Sequence, residues 1–348
     1  MESPTEFHYR LPGRIGGQRP GSHPGSSLGS GLEFVAHRNL YDYPDPRRLD
    51  LRASLRTLTE DWLVRVNRQR AGTAVRALVD VSASMSFGGQ RPKLHVVADF
   101  VEALGMSAFR VGDAVGMMAF DVAERTDLFM PARVSRGMGS IMGEALRELS
   151  DGARGARGPT RSARVEHELR GTQTGRDSHG PELRTQARRD AVRAAHGARA
   201  GRDAAGAAHG ARPAGELGAS DGLEEAASRL AGQQGLVFLI SDFHWPLARL
   251  DSALDLMAHA TVIPIVIWDA AETEPPTRNA LASLSDMESG ARRTLWLRPK
   301  LRDEWRQGVA RRRSEIDSYF NAHTIRPFYM EGRFDADALS RYFFEADL

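Results

Sequence analysis

The stretch "ALVDVSASMSFGG" (Ala77 to Gly89) sets a carboxylate and two hydroxyls, Asp80, Ser82 and Ser84, at alternate positions directly after an apolar run. A D-x-S-x-S alternation where the chain turns can aim three oxygens into one space. All-oxygen sets of this kind suit a hard cation such as Mg²⁺ (or Mn²⁺), which takes one or two carboxylates and keeps several waters. A second apolar run, "LVFLISDF", ends in Ser241 and Asp242. Two acids and several serines at neighbouring strand ends make a candidate metal site. The alternative is that Asp80 and the serines only cap the helix expected after Gly88 and Gly89.

Placing those residues needs strands that end side by side, and the pattern around them supplies such strands. "AVRALVDV" (Ala74 to Val81) reads as a buried strand. "KLHVVADFVEALGMSAFRV" (Lys93 to Val111) reads as an amphipathic helix, with Leu94, Val97, Ala98, Val101 and Leu104 at helical spacing. "DAVGMMAFD" and "RTDLFMPARV" follow as strands, and "SIMGEALREL" (Ser140 to Leu149) as a helix. Further on, "GLEEAASRLA" is helical, "GLVFLISDF" a strand, "ARLDSALDLMAHA" a helix and "TVIPIVIWD" a strand. The tail adds "TLWLRP", the long helix "KLRDEWRQGVARRRSEIDSYFNAH", the strand "IRPFYME" and a closing helix, "DADALSRYFFEA". Strands alternating with helices predict an α/β fold, a doubly wound and mostly parallel sheet covered on both faces. In such a sheet ligands sit beyond the carboxyl ends of the strands, where Asp80 and Asp242 fall.

Two regions break the alternation. The first ~30 residues are dense in Gly, Pro and Ser ("LPGRIGGQRPGSHPGSSLGSG") and predict an irregular arm on the domain surface. A short strand, "DWLVRVNRQ", puts Trp62, Val64 and Val66 on one face. From about Asp151 to Ser220 there is no aromatic residue and no Lys, few large aliphatics, and much Arg, Ala, Gly and His. Such a composition buries too little apolar area to offset its ordering entropy and predicts a disordered, solvated insert. Binding of nucleic acid or acidic protein by its arginines, or a stretch of coding sequence in the wrong frame, are the alternatives. The chain thus divides into an N-terminal segment (1–72), a first part of the α/β domain (73–150), the insert (151–220) and a second part (221–348).

Composition excludes several classes of function. Lys and Arg (47) nearly balance Asp and Glu (45), so there is no general basic surface for nucleic acid. The lack of cysteine removes disulfides, thiolate metal sites and a Cys nucleophile. No apolar run approaches the ~18 residues of a membrane span. The first residues, "MESPTEFHYRLPG", lack the basic start and apolar stretch of a signal peptide, so a soluble cytoplasmic protein is expected. There is no G-x-x-x-x-G-K-[ST] phosphate cradle. His95 and His259 read as ordinary helix residues, His244 as a rim residue beside the candidate metal, and "ARRRSE" (Ala310 to Glu315) as a solvated helix face paired with Asp303, Glu304 and Glu315.

"DVSASM" after an apolar strand resembles the metal-ion-dependent adhesion site of von Willebrand factor A domains. In order along the chain, "GLEFVAHRNLYDYPDPRRLDLRASLRT", "VDVSASMSFG" and "LISDF" resemble the bacterial DUF58 family, over roughly Gly31 to Thr126 and Leu236 to Asp269. The resemblance implies a von Willebrand factor A-like, Rossmann-like fold and Mg²⁺ held by Asp80, Ser82, Ser84 and Asp242. It also implies a further hydroxyl from a second loop, where Ser140 in "GMGSIMGEAL" either serves the ion or caps its own helix. Family members commonly accompany MoxR-type AAA+ ATPases, and short members without membrane helices resemble those of methanol-oxidation gene clusters. The chain departs from the family's "R-x-I-D-W" pattern, with Leu51 where Trp is common, and Arg47, Arg48, Asp50 and Arg52 are expected to tie the N-terminal segment to the domain by ion pairs.

The function expected is a non-enzymatic module whose metal accepts a carboxylate from a partner, either a MoxR-type ATPase or the client it remodels, such as a methanol dehydrogenase. A Mg-dependent phosphatase with Asp80 as nucleophile is the enzymatic alternative. Ser82 stands where such enzymes place a second acid, and the only lysines are Lys93 and Lys300. A structural subunit with an empty site is the third class.

Overall fold

The computed structural model describes residues 6–11, 20–29, 31–57, 61–89, 91–157, 219–276, 281–285 and 292–345. Three N-terminal strands form a sheet of their own. β1 (Pro20–Gly29) and β2 (Glu33–Asn39) both pair antiparallel with β3 (Leu63–Ala71), in the order β1-β3-β2. The stretch expected to be irregular is therefore a strand for ten residues. Its glycines allow this: a Cβ at Gly25 would lie 2.4 Å from the Gln69 carbonyl oxygen, so only a bare backbone can pack there. Its prolines lack an N–H, and the register breaks between Pro20 and His23 and between Pro24 and Leu28. The segment ahead of β1 is not superficial either, because Phe7, Tyr9 and Leu11 are buried in the main core.

The ion pairs expected around Asp50 form with different partners. Asp50 caps the short helix α1 (Leu51–Ser54) through the Ala53 N–H at 3.0 Å, and accepts from Arg65 Nε at 2.7 Å on β3. Arg48 pairs instead with Asp45 at 3.2 Å. On β3, Val64 and Val66 are buried as the alternation requires, whereas Trp62, one residue before the strand, is half exposed.

The main sheet begins with β4 (Ala74–Asp80), which leads through the loop bearing the serines to α2 (Lys93–Val111) and β5 (Ala114–Phe120). β6 (Met130–Arg133) runs back along β5, and α3 (Met138–Arg157) follows, starting before and ending beyond the helix read from sequence. Of the expected disordered insert (151–220), residues 151–157 are instead helical, as the end of α3, and so are residues 219–220; residues 158–218 lie outside the described residues. The chain resumes with α4 (Ala219–Ser228), β7 (Gly235–Ser241), α5 (Leu250–Leu256), β8 (Ala260–Trp268) and the single turn α6 (Ala270–Thr273). β9 (Leu281–Ser285) and β10 (Arg292–Trp296) make a separate antiparallel pair, so "TLWLRP" does not enter the main sheet. Then come α7 (Pro299–Ala322), β11 (Phe328–Glu331) and α8 (Ala336–Glu345).

The six strands lie in the order β11-β8-β7-β4-β5-β6, parallel except for the edge strand β6. This is the α/β, doubly wound, mostly parallel architecture that the alternation predicts. Alternate residues of each strand feed two cores, as the two-residue period of a strand demands. Val75, Ala77, Val79, Phe238 and Ile240 face α2, α3 and α8, whereas Leu78, Val237 and Leu239 face α4, α5 and α7. On the first face α2 and α3 touch backbone to backbone, since a Cβ on Gly105 would lie 2.4 Å from the Gly139 Cα. From β4 the chain moves to β5 on one side and later returns to β7 on the other. The carboxyl ends of β4 and β7 therefore flank the point where connections diverge, the usual place for a ligand in such sheets.

Candidate functional site

Asp80 is the last residue of β4 and fully buried. Its Oδ1 accepts the Ser82 backbone N–H at 2.9 Å, which folds the loop back over the strand end. Ser82 flanks a 3-10 turn (Ala83–Ser86), and its hydroxyl meets that of Ser84 at 3.2 Å. Neither serine caps the following helix: α2 starts after Pro92, with no side-chain cap. From the neighbouring strand, Ser241 Oγ donates to Asp80 Oδ2 at 2.6 Å, and the Trp245 indole N–H reaches the same oxygen at 3.2 Å. Among the described residues, every hydrogen-bond partner of Asp80 is thus neutral.

Asp242 follows β7 and is equally buried. Its Oδ1 accepts the His244 backbone N–H at 3.2 Å and its Oδ2 accepts Lys93 Nζ at 2.9 Å, and the nearby Ser84 hydroxyl favours the charged carboxylate. The loop that holds it is bent sharply, with Phe243 at φ 52°, a left-handed conformation unusual for a bulky side chain. Three donors fix the bend. Trp268 Nε1 reaches the Asp242 carbonyl at 3.0 Å, and Arg312 of α7 grips the Phe243 carbonyl (Nε at 3.1 Å) and the Trp245 carbonyl at 2.6 Å. Arg312 therefore turns inward from the run expected to be a solvated face. Its guanidinium also keeps the expected pairing with Glu315, Nη1 to Oε2 at 3.0 Å.

The two aspartates are electrostatically unlike. Burial, and then the charge of Asp242, push the Asp80 carboxyl up to about 6. Burial acts on Asp242 in the same direction, but the Lys93 ammonium, His244 and hydrogen bonds outweigh it and hold that carboxyl below its ordinary value. Lys93 itself is 1% exposed and also contacts Glu272 Oε1 of α6 at 2.6 Å. Burial acts to lower its pKa, but the charges and hydrogen bonds of the two carboxylates outweigh that, and its pKa is raised.

Against this geometry, a family model described as "Protein of unknown function DUF58" matches residues 40–315. The chain belongs to the DUF58 family. Among solved structures, this DUF58 chain is similar to the conserved hypothetical protein BatB from Bacteroides thetaiotaomicron (11% identity, TM-score 0.34, covering 79% of this chain and 98% of that one). It is also similar to an aerotolerance-related membrane protein from Bacteroides fragilis, with multiple mutations to serines (12% identity, TM-score 0.36, 79% and 98%). No curated protein matches.

Four of the five residues singled out in this DUF58 sequence, Asp80, Ser82, Ser84 and Asp242, meet in one cluster. Ser140 does not join its hydrogen bonds among the described residues. α3 packs against the Ala83–Ser86 turn, yet Ser140 is exposed and lies inside the first turn of α3 rather than at its N-cap. His244 is a rim residue as expected, 45% exposed, stacked on Trp268 and 4.0 Å from Glu272. His95 pairs with Asp151 at 3.2 Å on the surface of α2. Lys93 and Glu272 are the residues that sequence reasoning missed. A signal for the first was present, because Lys93 is one of two lysines among 47 basic residues.

The donor set fits a hard cation. Two carboxylates and two hydroxyls offer only oxygen; the ammonium of Lys93 meets Asp242 and Glu272, whereas the hydrogen bonds to Asp80 come from neutral groups. Among the described residues no three His, Asp or Glu side chains are grouped to hold a metal by themselves, so any ion here depends on the serine hydroxyls. No described helix is long and apolar enough to cross a membrane.

Proposed function

We propose that the chain is a non-enzymatic, metal-dependent protein-binding module, cytoplasmic, and an adaptor for a MoxR-type AAA+ ATPase in the maturation of an enzyme complex such as a methanol dehydrogenase. Asp80, Ser82, Ser84 and Asp242 would hold Mg²⁺ or Mn²⁺, with Ser140 a fifth candidate. The bound ion would offer a Lewis-acidic position to a carboxylate from the partner. The observation that carries the reading is the convergence of two strand-tip carboxylates and two loop hydroxyls, with the acids fully buried and Ser84 partly open to solvent. The acids and Ser82 thus form the base of the site and Ser84 its accessible side.

Lys93 gives the phosphatase reading a cation it lacked on sequence grounds. Its ammonium is already engaged by Asp242 and Glu272, however, and Asp80 is fully buried with Oδ2 bonded to Ser241 and Trp245, which leaves no line of attack on a phosphate ester. Binding is the better use of this geometry. Pull-down of a MoxR-type ATPase by the full chain should succeed with Mg²⁺ and fail with EDTA or with Asp80→Asn. Capture indifferent to both changes removes the metal from the interaction, and steady hydrolysis of p-nitrophenyl phosphate abolished by Asp80→Asn restores the enzymatic class.

A further inference from the structure

Lys93 sits where nothing in the proposed binding chemistry requires it. It is the first residue of α2, yet its side chain is 1% exposed, and its Nζ bridges Asp242 at 2.9 Å and Glu272 at 2.6 Å. A buried ammonium is costly unless its charge is matched, and these two carboxylates match it. The arrangement is reinforced from α6, which carries Glu272. Asp269 caps that turn through the Ala271 N–H at 2.8 Å, while the Glu272 side chain also reaches the Asp269 N–H at 3.3 Å. Asp269 stands against the loop before α2, where a Cβ on Gly89 would lie 2.9 Å from its Oδ1. α6 and the serine loop are thus packed together with Lys93 between them.

Among the described residues, few other charges lie near the cluster. His244 lies 4.0 Å from Glu272 on the rim, Arg312 is engaged by carbonyls and by Glu315, and Arg91 is paired with Asp99. Asp80 has only neutral partners. Lys93 is therefore the fixed positive charge that decides how much negative charge the cluster presents to an incoming ion.

We infer that Lys93 is a built-in counter-ion that competes with a divalent cation for the strand-tip carboxylates and so sets the site's affinity. This rests on the metal reading above, and it predicts a site deliberately weaker than its donors allow. An ion would then be held firmly only when a partner's carboxylate adds to its shell, which couples metal occupancy to partner binding. The opposing contribution comes from Glu272, which anchors Lys93 and adds negative charge.

The test is Mn²⁺ titration of the full chain by calorimetry, with thermal unfolding at rising Mn²⁺ as a second readout. The proteins compared are wild type, Lys93→Met, Glu272→Gln and the double variant. Lys93→Met should bind Mn²⁺ at least tenfold more tightly than wild type and gain more melting temperature from it. Glu272→Gln should bind more weakly, and the double variant should return towards wild type. Because Glu272→Gln alters a partly exposed residue without a change of size, it stays informative even if Lys93→Met folds only with Mn²⁺ present, and such rescue by the ion is itself a supporting result. Equal or weaker binding by Lys93→Met overturns the inference. Binding by Lys93→Met but not by wild type keeps it while overturning the metal reading of the native chain, and binding by neither overturns both.

Discussion

Two buried aspartates at opposite ends of the same sheet have been given different surroundings. Asp113, just before β5, is as buried as Asp80. It accepts the Tyr9 hydroxyl at 2.6 Å, His23 Nε2 at 2.8 Å and the Thr73 N–H at 2.8 Å, so its oxygens tie the N-terminal segment, β1 and the start of β4 together. Tyr9 is held in its protonated, donating form by burial and by the neighbouring Asp113 charge, both of which raise its pKa. Asp80 also accepts three donors, but a second buried acid lies beside it and the one nearby ammonium serves Asp242 and Glu272. The first cluster is complete as it stands. In the second, two buried acids stand side by side, one with neutral partners and one with the ammonium, and that pairing sets it apart from the single acid that knots the first.

The contrast can be broken most forcefully at Asp113. Asp113→Ala leaves a phenol, an imidazole and a backbone N–H without their buried acceptor and should cost about 3–5 kcal/mol in urea unfolding. A loss below about 1 kcal/mol would mean that the N-terminal segment is not fastened there. Substitution of Asp80 should act with the opposite sign. A carboxyl held at about 6 when folded, against ~3.9 when unfolded, binds its proton more tightly in the native state. Stability from this group is therefore present below the unfolded value and is lost as pH rises through 6, a decline on the order of 3 kcal/mol between about pH 4 and pH 7. In EDTA, Asp80→Asn should flatten that decline and exceed wild type in stability at pH 8; a wild-type protein equally stable at both ends of this range would contradict the assigned burial. The smallest effect is expected at Ser140, outside the cluster's hydrogen bonds. Ser140→Ala should shift stability by no more than about 0.5 kcal/mol and Mn²⁺ affinity less than twofold, whereas Ser84→Ala should weaken the ion at least tenfold. Comparable losses from both would return Ser140 to the ligand set.

Much of this site was legible because its residues interrupt strong local patterns. An acid at the end of "AVRALVD" or "GLVFLIS" stands out against an otherwise apolar strand, and strand tips in a doubly wound sheet share one edge. β1 was not legible, since its pairing rests on main-chain hydrogen bonds and on the small size of Gly21 and Gly25, and neither leaves an apolar alternation. Arg312 was hidden within a basic run whose neighbours do face solvent, because helical periodicity does not say which carbonyls lie opposite.

The sequence alone determined the alternation of strands and helices, the two-sided burial of the central strands and the identity of four oxygen-bearing residues, because each depends on spacing within a few positions. Only the tertiary structure decided their electrical balance. Lys93 and Asp242 are 149 residues apart, and they meet because β7 inserts beside β4 after the chain has built the other half of the sheet. Charge interactions act through space with no regard for sequence distance, so the cation beside Asp242 could be assigned only once the strands had found their order.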